Sequence, residues 1–125
     1  MMRQLVLIAC GGALGALLRF GLTNGVAAVL GRAFPYGTLL VNVLGSLGIG
    51  MLYVLLTERV VAAADWRAFL VVGLLGAFTT FSTFSIQTLN LLELGLLGRA
   101  LANVVLNVTL CLGACWFGLT LMRQL

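Results

Sequence analysis

The chain has 125 residues, of which 62% are hydrophobic and only 8% are charged. A soluble globular domain is about half apolar and about a quarter charged, so this composition excludes that class and indicates an integral membrane protein. The net charge of +4 comes from seven arginines and no lysine. Because these arginines are scattered singly, the basic balance does not indicate a surface that binds nucleic acid.

Charged residues divide the sequence into four apolar segments, each close to the roughly 20 residues that a helix needs to cross a bilayer. The predicted spans cover residues 5–31, 36–57, 68–92 and 100–122. The connections are short, and Pro35 marks the first turn. We therefore predict an all-α integral membrane protein with a single four-helix transmembrane domain over residues 1–125.

The first span contains a charged residue, Arg19, with no acidic residue in any span to pair with it. A charge at the centre of a membrane helix costs about 2.5–3.5 kcal/mol on insertion scales. Arg19 is therefore predicted to extend toward an interface or to lie at an aqueous vestibule, where its charge would attract anions. The apolar run before Cys10 is too short for a signal peptide, so we expect this span to be retained.

Small residues spaced four apart predict close helix packing, because both then lie on one helix face and let backbones approach. Such pairs are Gly11 and Gly15, Gly21 and Gly25, Ser46 and Gly50, and Ala114 and Gly118. For most of these pairs we expect packing within the four-helix bundle.

The distribution of arginines gives only a weak orientation signal. With four spans, both termini and the middle connection lie on one side. That side carries Arg3, Arg59, Arg67 and Arg123, and the opposite side carries Arg32 and Arg99. Arginines in short loops decide orientation, so a difference this small allows either a termini-inside arrangement or insertion both ways. Dual insertion would permit an antiparallel dimer.

Three amide side chains interrupt the second and fourth spans. Asn42 lies early in the second span, and Asn103 and Asn107 share a face of the fourth. The simpler interpretation is hydrogen bonding between helices, which is favourable by about 1 kcal/mol in membranes. The alternative is a pathway lined by N–H donors, which in the absence of a buried acid suits an anion better than a cation.

The third span contains the segment TTFSTFS at 79–85, in which five of seven residues carry a hydroxyl. Hydroxyls can bond back to the preceding turn of a continuous helix, but so many of them favour a broken helix. A break would offer N–H groups that favour anions and carbonyls that favour cations. Phe81 and Phe84, three apart, would add electropositive ring edges that can contact a small anion.

The chain resembles the small fluoride channels of the Fluc (CrcB-type) family over essentially its whole length. The residues that carry the resemblance are GALGALLRF at 12–20, GTL at 37–39 followed by Asn42 and Gly45, and GLLGAFTTFSTFS at 73–85. The resemblance implies an antiparallel, dual-topology homodimer of four-helix subunits in the bacterial inner (plasma) membrane, with a break in the third helix. It also implies two pores along the subunit interface, through which fluoride leaves passively down its gradient, giving fluoride resistance.

The resemblance also implies roles for individual residues. The fluoride pore would be lined by Asn42, Phe81, Ser82, Thr83, Phe84, Asn103 and Asn107. Arg19 would be the vestibule arginine, and the backbone carbonyls of Gly76 and Thr79 from both subunits would hold a structural sodium ion. Gln87 departs from the family pattern, because many members carry Glu there, and the neutral side chain removes a titratable group near the pore.

Three other functions are less well supported by the sequence. A small multidrug exporter needs a carboxylate in its first helix to exchange protons and bind cations, and the first span has none. A protein that only assembles helices would leave the hydroxyl cluster unexplained. An enzyme is the least supported, because no nucleophile–base pair or metal-ligand set is visible.

Overall fold

The computed structural model describes residues 1–60 and 62–125, which contain helices and no β-strand. Helix α1 spans Met2–Leu30, α2 spans Tyr36–Arg59, α3 covers residues 64–78, α4 spans Phe81–Glu93 and α5 spans Leu97–Gln124. The last part of α2 and most of α3 have the wider turns of a π-helix, over Val54–Arg59 and Arg67–Leu75. Helices α3 and α4 together form one of four segments long and apolar enough to cross a membrane, so the predicted all-helical, four-span architecture is confirmed.

Most large apolar side chains lie on the outside of the bundle. Leu17, Leu112 and Trp116, for example, are 69%, 68% and 67% exposed. Lipid tails are as apolar as these side chains, so helices in a membrane associate through close packing and hydrogen bonds rather than by escaping water. The four apolar spans and this outer surface are those of a multi-pass membrane protein.

Glycines bring α1 and α3 together backbone to backbone. A Cβ at Gly11 would overlap the carbonyl oxygen of Phe69, and a Cβ at Gly15 would overlap that of Leu74. From the other side, a Cβ at Gly73 would lie 2.7 Å from the Ile8 carbonyl oxygen. The pair Gly11 and Gly15 therefore packs within the subunit, as expected from its spacing.

A second glycine seam, meaning a line of close backbone contact between two helices, joins α2 and α5. A Cβ at Gly50 would overlap the carbonyl of Cys115, and one at Gly118 would approach the carbonyl oxygen of Leu47 within 2.5 Å. By contrast, no atom lies within 4 Å of where a Cβ would stand at Gly21 or at Gly25. The side of α1 on which a side chain at either position would stand is therefore open in the described part of the subunit.

Charged side chains tie the helices together at one end of the bundle. Two ion pairs lie there, Arg3 with Asp65 and Arg123 with Glu58. The first joins the start of α1 to the start of α3, and the second joins the ends of α2 and α5. All four side chains are substantially exposed, so water and salt screen both pairs and each contributes little to stability.

Candidate functional site

The third span is interrupted at Thr79 and Thr80, between α3 and α4. Both residues have extended backbones, with φ and ψ of −86° and 157° at Thr79 and of −152° and 112° at Thr80. Helix α4 restarts because Thr80 caps it: the Thr80 Oγ1 accepts the backbone N–H of Thr83 at 3.2 Å. The interruption falls within the hydroxyl-rich segment 79–85, whose composition favours a break.

Asn42 on α2 supports the interruption by bonding both backbone groups of Thr80. Its Oδ1 accepts the Thr80 N–H at 2.8 Å, and its Nδ2 donates to the Thr80 carbonyl oxygen at 3.1 Å. These two bonds replace the helical bonds that an extended residue gives up, which a dry interior would otherwise leave unsatisfied. Asn42 is therefore a clamp on the break.

The sequence did not distinguish Thr80 from the other four hydroxyl residues of the segment. In the structure Thr80 is the more buried of the two residues at the break, with only 8% of its surface exposed. The signal that would have found it is its capping role, because Thr is a preferred residue immediately before the first turn of a helix.

A chain of amide hydrogen bonds runs from Asn42 across α5 and back to α4. Asn42 Nδ2 donates to Asn107 Oδ1 at 3.2 Å, and Asn107 Nδ2 donates to Asn103 Oδ1 at 3.0 Å. Asn103 then donates to Thr88 Oγ1 at 2.9 Å, and the Thr88 hydroxyl donates to the Phe84 carbonyl. The three amides therefore take part in hydrogen bonds between helices, which is the simpler of the two interpretations of their place in the sequence. Both acceptors of Asn42 Nδ2 lie within the subunit, so an anion reaches an Asn42 N–H only by displacing one of them.

The carbonyls of Gly76 and Thr79 are among those that the break leaves without their helical donors. In a continuous helix the N–H of Thr80 would bond to the Gly76 carbonyl, but it bonds to Asn42 instead. The N–H of Thr83 would bond to the Thr79 carbonyl, but it bonds to the Thr80 hydroxyl. Carbonyl oxygens freed in this way can coordinate Na⁺. The chemistry of Gly76 and Thr79 therefore fits a sodium site.

Arg19 approaches the break from α1. Its Nε donates to the carbonyl oxygen of Ala77 at 3.0 Å, in the last turn of α3. The carbonyl end of a helix carries partial negative charge, so a guanidinium is stabilised there. Arg19 thus meets a backbone partner that the sequence could not name, and the residue also lines a cavity.

Two cavities meet at Thr80, which lines both. The first has a volume of about 650 Å³, and its lining includes Arg19, Thr83 and Gln87. The second has a volume of about 510 Å³, and its lining includes Asn42, Gly76, Thr79, Phe81, Phe84 and Asn107. Most of the predicted site residues are therefore brought together on the two sides of the break. The exceptions are Ser82, which is exposed, and Asn103, which is fully buried; neither lines these cavities.

The two phenylalanines of the segment have different surroundings. Their ring centroids lie 5.2 Å apart with the planes tilted by 58°. Phe84 is 8% exposed and belongs to the interior of the subunit, whereas Phe81 is 78% exposed and projects from it. Both residues line the second cavity, which therefore reaches from the interior of the subunit to its surface.

Gln87 lies one turn beyond Thr83 on α4 and lines the first cavity. Its Oε1 is buried and accepts no hydrogen bond from the described residues. Gln87 is neutral, so it adds no negative charge to the first cavity. The charged residues of the cavity lining are arginines.

Comparison with known proteins places the chain in a family. Residues 6–119 match the family described as "CrcB-like protein, Camphor Resistance (CrcB)". The chain is 53% identical over 122 residues to a protein of Methylococcus capsulatus, 49% identical over 120 residues to one of Magnetococcus marinus and 48% identical over 118 residues to one of Pseudoalteromonas translucida. Each of the three is named "Fluoride-specific ion channel FluC", the name of a channel rather than of an enzyme.

The alignments cover almost all of this chain, 98%, 96% and 94% of it in the same order. The chain spans 54% of the length of the Methylococcus relative and 98% of the length of each of the other two. Full-length similarity of this degree, together with the matched residues 6–119, shows that the chain belongs to the CrcB-like family.

Proposed function

We propose that this chain forms a fluoride-selective channel, which lets fluoride leave the cell passively down its gradient and so gives fluoride resistance. The observation that carries the proposal is the near-full-length similarity to relatives named as fluoride-specific channels. The interrupted third span, with polar residues and ring edges gathered on both sides of it, supplies the kind of site that such conduction needs. The bacterial inner membrane is the location that fits export from the cytoplasm.

An antiparallel homodimer is the assembly that we propose. Phe81 and Gly76, both next to the break, are exposed on the single subunit, so a pathway along them is incomplete until a second surface covers it. Gly21 and Gly25 leave a further strip of α1 open to close approach by another helix. The weak arginine bias permits insertion in both orientations, which an antiparallel pair requires. Two equivalent pores at the interface follow from the twofold symmetry.

Fluoride would first meet the Arg19 side of the break and then the hydroxyls of Thr80 and Thr83. It would next pass the ring edges of Phe81 and Phe84 and exchange with one acceptor of the Asn42 amide. Fluoride is small and strongly hydrated, so donors at close range must replace its water. Hydroxyls, amides and ring edges can do so without a fixed charge in the narrow part, and weak sites of this kind let the ion leave again.

The carbonyls of Gly76 and Thr79 would hold a structural sodium ion at the centre of the dimer. With one pair of carbonyls from each subunit, four oxygens would face the twofold axis. A sodium ion bound there supplies positive charge at the carbonyl ends of two broken helices. The contribution of this chain is to keep those oxygens free, because Asn42 and Thr80 take the N–H groups that would otherwise bond to them.

The test is ion efflux from liposomes that hold the purified protein, with a fluoride electrode and a chloride electrode and a potassium ionophore to balance charge. Rapid fluoride release without chloride release is the expected result. Liposomes without protein provide the control for leak. Release of chloride at a comparable rate, or no release of either ion from folded dimers, would overturn the proposal.

A further inference from the structure

The first cavity carries an unusual concentration of positive charge. Arg19, Arg32 and Arg99 all line it, and its lining contains no aspartate or glutamate. Three arginines in the lining of a cavity of about 650 Å³ make its potential positive, because no carboxylate in that lining offsets them.

Two of these arginines have no partner among the residues that the structure describes. Arg32 and Arg99 form no hydrogen bond and no ion pair within the described residues, although each guanidinium carries five N–H donors. The other arginines are all engaged. Arg3 and Arg123 pair with carboxylates, and Arg19, Arg59 and Arg67 donate to backbone carbonyls.

The start of α5 adds a second source of positive potential at the same place. Leu96, immediately before the first turn of this helix, and Arg99, within that turn, line the cavity. No side chain caps the turn and no acidic residue lies in it. The N–H groups of an uncapped helix start attract anions, and a 28-residue helix presents them with a full dipole.

The size and depth of the cavity indicate which anion it suits. Its volume lies in the range of small-molecule sites, about 300–1,000 Å³, and far exceeds the needs of a single halide ion. Gly31 and Arg32, just beyond the end of α1, and Leu94, just beyond the end of α4, belong to its wall. The cavity therefore opens at the level where membrane helices end, which is also the level of lipid headgroups.

We propose that this cavity is a binding site for a phosphate group, held by the guanidinium groups of Arg32 and Arg99. Planar guanidinium groups match the oxygen geometry of phosphate and bind it through paired, charge-assisted hydrogen bonds. Arg19, held at the break through its Nε, adds long-range attraction. The phosphate is either inorganic phosphate or the headgroup of an anionic phospholipid. The proposed fluoride path enters through this same cavity, but the inference rests only on the cavity and its charges, and its test does not require fluoride conduction.

The experiment compares the unaltered protein with two charge-matched double variants in a neutral detergent. Arg32→Gln/Arg99→Gln removes the proposed ligands. Arg59→Gln/Arg67→Gln removes the same charge from the other end, where both arginines donate to carbonyls. Binding of inorganic phosphate is measured by calorimetry at low ionic strength. Retention of phosphatidylglycerol against phosphatidylcholine is measured by native mass spectrometry after purification from mixed bilayers.

The expected result is that the cavity variant loses at least about tenfold in phosphate affinity, the cost of a lost charge-assisted contact, while the control variant does not. If inorganic phosphate does not bind but phosphatidylglycerol is retained in an Arg32- and Arg99-dependent way, the site is a lipid headgroup site and the proposal also stands. Equal losses in both double variants, or no binding of either probe to the unaltered protein, would overturn it. None of these readouts depends on fluoride flux.

Discussion

Helix α1 carries two glycine pairs with the same spacing and opposite surroundings. Gly11 and Gly15 lie against the backbone of α3, where any side chain would overlap a carbonyl oxygen. Gly21 and Gly25, three turns further along, face open space. The spacing shows that a helix can be approached closely, but it does not show by which helix. The first pair closes the subunit, and the second leaves a strip that a second subunit can cover.

The largest effect is expected where the first pair is filled. Gly15→Val would push α1 away from Leu74 on α3, and since the obstacle is backbone rather than a movable side chain, the cost should be about 3 kcal/mol or more. Thermal unfolding in detergent, followed by circular dichroism, measures it. Gly113→Val on α5 is the matched control, because no atom lies within 4 Å of its Cβ position. If Gly15→Val unfolds at the same temperature as the control, Gly15 is not in close contact with α3 and the two glycine pairs do not differ as described.

The two phenylalanines extend the comparison from packing to conduction. We expect Phe81→Ile and Phe84→Ile each to cut fluoride flux by about tenfold, the value of one lost ring-edge contact, while dimer assembly stays nearly intact. Only Phe84→Ile should also lower the stability of the subunit, because only Phe84 is buried. Fluoride efflux and thermal unfolding, measured on the same preparations, separate the two effects.

The control for these substitutions is Phe117→Ile on α5, which is 53% exposed and lines neither cavity. It should leave flux unchanged. Normal flux in both Phe81→Ile and Phe84→Ile would remove the phenylalanines from the mechanism, whatever their effect on stability.

The second glycine pair should respond more mildly than the first. Gly21→Val adds an isopropyl group to the open strip of α1, so the folded subunit should be unaffected, whereas the proposed dimer should dissociate severalfold more readily. Sedimentation equilibrium in detergent measures the dimer, and Gly113→Val again serves as the control. A dimer as tight as that of the unaltered protein would mean that this strip faces lipid.

Much of the architecture was predictable from the order of apolar, charged and hydroxyl residues along the chain. The four spans follow from where charges interrupt apolar runs, and the break follows from the excess of hydroxyls at 79–85. These features depend on local composition, which a linear sequence records directly.

The partners across the bundle were not predictable. Nothing in the sequence joins Asn42 to the backbone of Thr80, or Arg19 to the carbonyl of Ala77, 58 positions away. Such contacts depend on the relative height and rotation of packed helices. Glycine seams set both, and spacing alone does not reveal which seam forms.

The smallest effect is expected at Gly12, which lies between the two members of a packed seam but is not part of it. The nearest atom to its Cβ position is the Gly73 carbonyl oxygen at 3.9 Å, an ordinary contact distance that leaves room for one methyl group. Alanine is favoured over glycine within a helix by up to about 1 kcal/mol, so Gly12→Ala should leave unfolding unchanged or raise its temperature slightly. Gly11→Ala, one position earlier, should lower it, because its methyl group meets the Phe69 carbonyl. Changes of opposite sign in the unfolding temperature would show that only the face of α1 with Gly11 and Gly15 is in close contact with α3. Equal decreases for both variants would mean that α3 also lies close to Gly12.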